Sequence, residues 1–128
     1  MCLSQKIKMR KIKKKTWKAV SLKQPWANLV ASGKKTIETR KWLTNYRGDL
    51  VICSSQSPKI EPYGKALCIV ELYDIKPMEA KHEKKACIKV YQKAKAWLLR
   101  NLRPITPPIP VKGSLSIFNL KLPVRLAK

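Results

Sequence analysis

The chain has 128 residues, of which 45% are hydrophobic, with 29 Lys and Arg against 7 Asp and Glu and a net charge of +22. That length suits one domain with one core, and the apolar content excludes a chain too polar to fold. So large a positive excess disfavours a cationic ligand and points to a polyanion, nucleic acid first among them. An anionic membrane surface and a lysine-rich composition without any ligand are the rival explanations of the charge.

Eight of the bases (Lys6, Lys8, Arg10, Lys11, Lys13, Lys14, Lys15 and Lys18) precede residue 19, so most of the excess lies in the body of the chain. Residues 1–15 read as a flexible basic arm ahead of a single domain over 16–128. Leu3, Ile7, Met9 and Ile12 are separated by lysines, and no secretion signal or membrane span fits such a segment. Such an arm would add salt-sensitive affinity for phosphate.

Trp17 to Leu22 alternates as a first strand. Pro25 stands where a helix begins, and Trp26, Leu29 and Val30 then fall on one stripe until Gly33 stops the helix. From Thr36 the period changes to two. Thr36, Glu38, Arg40 and Trp42 share one strand face, with Ile37, Thr39 and Lys41 on the other. Gly48 marks a turn, Asp49 to Ser54 a buried strand, and Ser55 to Tyr63 a loop with Pro58 and Pro62. Lys65 to Tyr73 alternates as a strong strand. From Glu79, residues Cys87, Val90, Tyr91 and Ala94 share the face of an amphipathic basic helix. Beyond Lys95 the pattern allows either more helix, through Trp97 and Leu98, or a strand. Pro104, Pro107, Pro108 and Pro110 argue against regular structure, and Leu115 to Leu122 reads as a last strand.

Cys2, Cys53, Cys68 and Cys87 are far apart with no Cys-x-x-Cys pair, which reads as reduced, buried cysteine in a cytoplasmic, or nuclear or nucleoid-associated, protein. His82, the single histidine, lies among charges and reads as a surface residue. No cofactor or metal is expected.

The stretch from Ser21 to Trp42, followed by Tyr46-Arg47-Gly48, resembles the ASCH domain, the activating-signal-cointegrator homology module of the PUA-like superfamily. Its G-x-K-x-x-E-x-R signature is met by Gly33, Lys35, Glu38 and Arg40, with Gln24-Pro25-Trp26 ahead of it. Pro108-Ile109-Pro110-Val111-Lys112-Gly113 and Phe118-Asn119-Leu120 resemble the close of the cointegrator-type branch. The resemblance runs from about Trp17 to Leu120. It implies an α+β fold, a small PUA-like β-barrel of about five to six mostly antiparallel strands with two helices, and it places a strand over Ala96 to Arg103.

The resemblance also implies a cleft between the first helix and the charged strand. Lys34, Lys35, Glu38, Arg40, Trp42, Arg47 and Lys112 are then the nucleic-acid-binding candidates. Lys35 and Arg40 would meet phosphate or a base edge, Glu38 would orient them or accept from an exocyclic amine, and Trp42 would stack a base, while Trp26 would belong to the core. The expected function is RNA binding by a monomer, through one unpaired or modified nucleotide held in a basic cleft. From pattern alone, Glu38 and Arg40 are equally well read as a solvated or barrel-stabilising pair. A family branch of amidohydrolases acting on acylated nucleosides, and RNA cleavage in the wider family, supply the alternative, with Lys35, Glu38 and Glu71 as its residues. The threonine nucleophile of that branch is replaced here by Glu38.

Overall fold

Leu50 to Cys53 are buried on both sides of their strand, and the rest of the sheet is arranged around them. The computed structural model describes residues 13–127; the expected arm lies outside them except for its last three residues. Strand β1 (Lys14–Leu22) is followed by helix α1 (Trp26–Ala31), β2 (Ile37–Arg40), β3 (Gly48–Ser54) and β4 (Lys65–Pro77). A 3-10 turn (Ala80–His82) leads into helix α2 (Glu83–Ala86), then β5 (Lys95–Pro110), β6 (Phe118–Pro123) and a last 3-10 turn (Val124–Ala127).

The six strands form one sheet in the order β2-β5-β4-β3-β1-β6. The β1–β3 pair is parallel and the other four are antiparallel. The α+β fold with two helices is as expected, but the barrel is not closed. The outer strands β2 and β6 are not bonded to each other, and β2, four residues long, is too short to extend the sheet further round. Alternation along β1 and β3 sends Val20, Leu22, Leu50 and Ile52 into a core with α1, β4 and Trp97. It sends Trp17, Ala19, Val51 and Cys53 into a second cluster with Ile69, Ile105 and Leu122. Burial pushes the thiols of Cys53 and Cys68 up to about 12, so both are unreactive at neutral pH.

Several boundaries depart from the sequence reading. Lys14 and Lys15 pair with Pro123 and Leu122 inside β1 rather than ending an arm. The helix expected from Glu79 stops at Ala86, because Cys87 takes a left-handed φ of 57° and the Glu83 carboxylate accepts the Val90 N–H at 2.8 Å. Ile88 and Tyr91 still pack on the cluster of Ile37, Met78, Ala86, Ala94 and Ala96, so the apolar pattern was real but is served by a loop. Strand β5 runs on through its prolines to Pro110. Beyond the four residues that pair with β2 it has β4 as its one strand neighbour, and an edge tolerates residues without an N–H. Cys87 is exposed and His82 is buried, both the reverse of expectation.

Candidate functional site

Helix α1 is held by the side chain of Gln24, which is buried. Its Oε1 accepts the Asn28 N–H at 2.9 Å, and its Nε2 donates to Asn28 Oδ1 at 2.9 Å and to the Pro62 carbonyl at 3.0 Å. This ties the start of the helix to the loop after β3. Gly33, at φ +83°, then reverses the chain, and Lys35 N–H donates to the Leu29 carbonyl at 3.0 Å. The signature residues are thereby set beside α1, as its spacing requires.

Lys35 is 2% exposed. Its ammonium donates to the Ala86 carbonyl and lies 3.6 Å from Glu38 Oε1. Desolvation lowers its pKa from the ordinary lysine value, against the opposing pull of Glu38. Arg40 Nε is 3.1 Å from the other Glu38 oxygen, close enough for ion pairing but without the alignment of a hydrogen bond. Arg40 Nη2 donates to the Ser21 carbonyl at 3.0 Å. Glu38 thus sits between two cations, one sealed in the protein and one whose side chain is 26% exposed.

These three side chains border an open hollow of about 830 Å³. Trp26 of α1, Lys23, the Ser54–Gln56 turn and the Lys112–Ser116 loop complete its wall. Leu115, 90% exposed, stands at this rim. Gly113 is required for close approach: a Cβ there would lie 2.6 Å from Ser21 Oγ, a buried hydroxyl with no hydrogen-bond partner.

Lys35, Glu38, Arg40 and Lys112 all line this hollow. Trp42 does not. Regular pairing of β2 ends at Arg40, the chain bends, and Trp42 packs edge-on against buried Trp97 with ring centres 4.8 Å apart. Trp26, expected in the core, is the tryptophan that borders the hollow. Lys34 is exposed outside that wall, and Arg47 donates to the Thr44 and Tyr46 carbonyls of its own turn. Glu71 is held by Arg100 at 2.9 Å and by Asn101 at 2.5 Å on another part of the sheet. Gln24, Ser21, Trp26 and the Gly113 loop are the residues that sequence reasoning missed or misplaced. The Gln24-Pro25-Trp26 block carried the signal for two of them.

The α+β fold built on this six-stranded sheet is one that other solved structures share. The ASCH protein of Zymomonas mobilis superposes with a TM-score of 0.65 at 21% identity, over 80% of this chain and 86% of that one. A tyrosine-to-phenylalanine variant of it gives 0.64 at 21% identity over 80% and 88%, and a serine-to-alanine variant 0.65 at 20% over 80% and 87%. No curated protein matches the chain. The family model for the ASCH domain matches residues 20–109. The chain belongs to the ASCH domain family, a PUA-like fold family associated with RNA binding.

Among the described residues no helix is long and apolar enough to cross a membrane, and no three metal-binding side chains gather.

Proposed function

We propose that this ASCH domain, of the cointegrator-type branch, binds single-stranded RNA by taking one unpaired or modified nucleotide into the hollow beside Glu38. The observation that carries this reading is the Lys35–Glu38–Arg40 arrangement bordering open space rather than packed side chains. A desolvated carboxylate fixed between two cations is preorganised, so it loses little on meeting a ligand. Glu38 accepts from an exocyclic amine of the base, and Arg40, the more exposed cation, meets a phosphate or a base edge. Lys35 holds Glu38 in place and does not itself reach the ligand. Trp26 offers the stacking face, a role typically worth ~1–3 kcal/mol per base. Lys23 and Lys112 at the rim, with the general positive charge, draw the strand in.

The test is a titration of labelled single-stranded RNA at several salt concentrations. Arg40→Ala should weaken binding at every salt concentration, and wild-type affinity should fall steeply as salt rises. Release of a product from an acylated nucleoside at a rate independent of salt would instead favour a hydrolase.

A further inference from the structure

A second, smaller hollow of about 280 Å³ lies against the same stretch of chain. Residues 35–38 wall both: Lys35 and Glu38 border the first, Thr36 and Ile37 the second. Lys76, Lys81, His82 and Lys85 line the second hollow together with Tyr73, and no acid is among its lining residues. Lys81 is paired with exposed Glu79 at 3.4 Å, but its side chain remains 70% exposed.

The built feature is His82, 8% exposed. Its Nδ1 accepts the Glu79 N–H at 3.0 Å, which leaves Nε2–H as the ring's remaining donor. No protein partner for that Nε2–H is present among the described residues, and His82 lines the hollow. A donor fixed in orientation, in a hollow lined by three lysines and no carboxylate, matches a phosphate oxygen. Lys85 lines the second hollow and Ile88 the first, and the Lys85 carbonyl accepts the Thr36 N–H at 2.9 Å, so a strand joining the two hollows would run over the end of α2.

We propose that the second hollow is a phosphate subsite. In it, His82 Nε2–H and the ammonium groups of Lys76, Lys81 and Lys85 hold a backbone phosphate of the strand whose base occupies the first hollow. The inference rests on the RNA-binding reading for the source of the phosphate, but not for the phosphate chemistry. It makes the binding footprint longer than one nucleotide and carries the strand from the first hollow over the end of α2 to the second.

His82 is the only histidine, so in tag-free protein its imidazole NMR signals need no assignment. Pyrophosphate and a short single-stranded RNA are each titrated against wild type, the Lys76→Ala/Lys81→Ala pair, and a control pair, Lys65→Ala/Lys121→Ala, outside this hollow. The expected result is a saturable His82 shift with both ligands in wild type. The Lys76/Lys81 pair should weaken RNA binding about tenfold, the control pair much less, and mononucleotide binding should be unaffected. Silent His82 signals with both ligands, or equal losses in the two pairs, overturn the subsite even if RNA binding in the first hollow stands. A His82 shift with pyrophosphate from a protein that binds no RNA overturns the backbone source and the RNA reading together, leaving a free polyphosphate as ligand.

Discussion

Two clusters of acids and bases in this protein use the same side chains in opposite ways. Lys35, Glu38 and Arg40 are drawn out of water, with the lysine and carboxylate side chains 1% and 11% exposed. On another part of the sheet, Arg103 grips Asp49 with two hydrogen bonds at 2.5 and 3.2 Å, and Arg100 binds Glu71 while lying over the Tyr73 ring. There every charged group has a partner and water is close by, so nothing remains to be satisfied. The first cluster costs desolvation and borders the larger hollow; the second, although Asp49 and Arg103 also edge a hollow of about 440 Å³, is a more exposed network of small net value. Charge kept at a cost beside a hollow is the pattern of a binding site, and charge neutralised in the open is not.

The largest expected difference is in stability. Glu38→Ala leaves the Lys35 ammonium buried without its carboxylate and should lower the unfolding free energy by about 3–5 kcal/mol. Adding Lys35→Met should recover part of that loss, read as non-additivity in urea denaturation. If Glu38→Ala matches a surface substitution, the triad is solvated and the contrast fails.

The pH response should separate the clusters next. Because burial lowers the Lys35 pKa, the folded state holds fewer protons than the unfolded state between that lowered value and the ordinary one, about 10.4. The Lys35 contribution to stability therefore rises with pH across that window. The Arg100 hydrogen bond lowers the Glu71 pKa, so its contribution is present above the usual carboxylate range and fades as pH falls through the folded value. Subtracting the Lys35→Met curve from wild type should show an alkaline difference, and Glu71→Gln an acid one. Buried Cys53 and Cys68 act against Lys35 above pH 9, which is why the subtraction is needed. An alkaline difference of the opposite sign would show that Glu38, not desolvation, dominates Lys35.

Smaller effects follow for the surface network. Asp49→Ala should cost about 0–1 kcal/mol and Glu71→Ala should change stability little, and 1 M salt should erase most of even that while sparing the triad. Comparing the two sets of denaturation curves with and without salt checks it; a large, salt-resistant loss at Asp49 would make the two clusters alike.

Much of the site was legible because its spacing is local. Pro25 and Gly33 bracket α1 to within a residue, and the family resemblance carried by G-x-K-x-x-E-x-R grouped Lys35 with Glu38 and Arg40, which alternation alone left as a plain ion pair. Trp42 was misread because alternation was extended two residues past the end of the strand, where the bend at Lys41 turns the indole into the core. Trp26 sits on the stripe of a helix too short for its period to separate a buried face from a cleft face. Residues 79–94 and the prolines of β5 failed for another reason. Which loop covers Ile37, and which strand edge lacks a neighbour, depend on pairings between residues far apart in sequence, and no local pattern carries them.

The two tryptophans provide the most direct test. Affinity for single-stranded RNA should be measured on folded wild type, Trp26→Ala and Trp42→Ala under one salt condition. If Trp26 lines the nucleotide site, Trp26→Ala should lose about 5- to 150-fold in affinity, the equivalent of ~1–3 kcal/mol. Trp42→Ala should lose thermal stability while keeping most of its affinity. Unchanged affinity in Trp26→Ala, with the loss falling on Trp42→Ala instead, would contradict the placement of the nucleotide in this hollow.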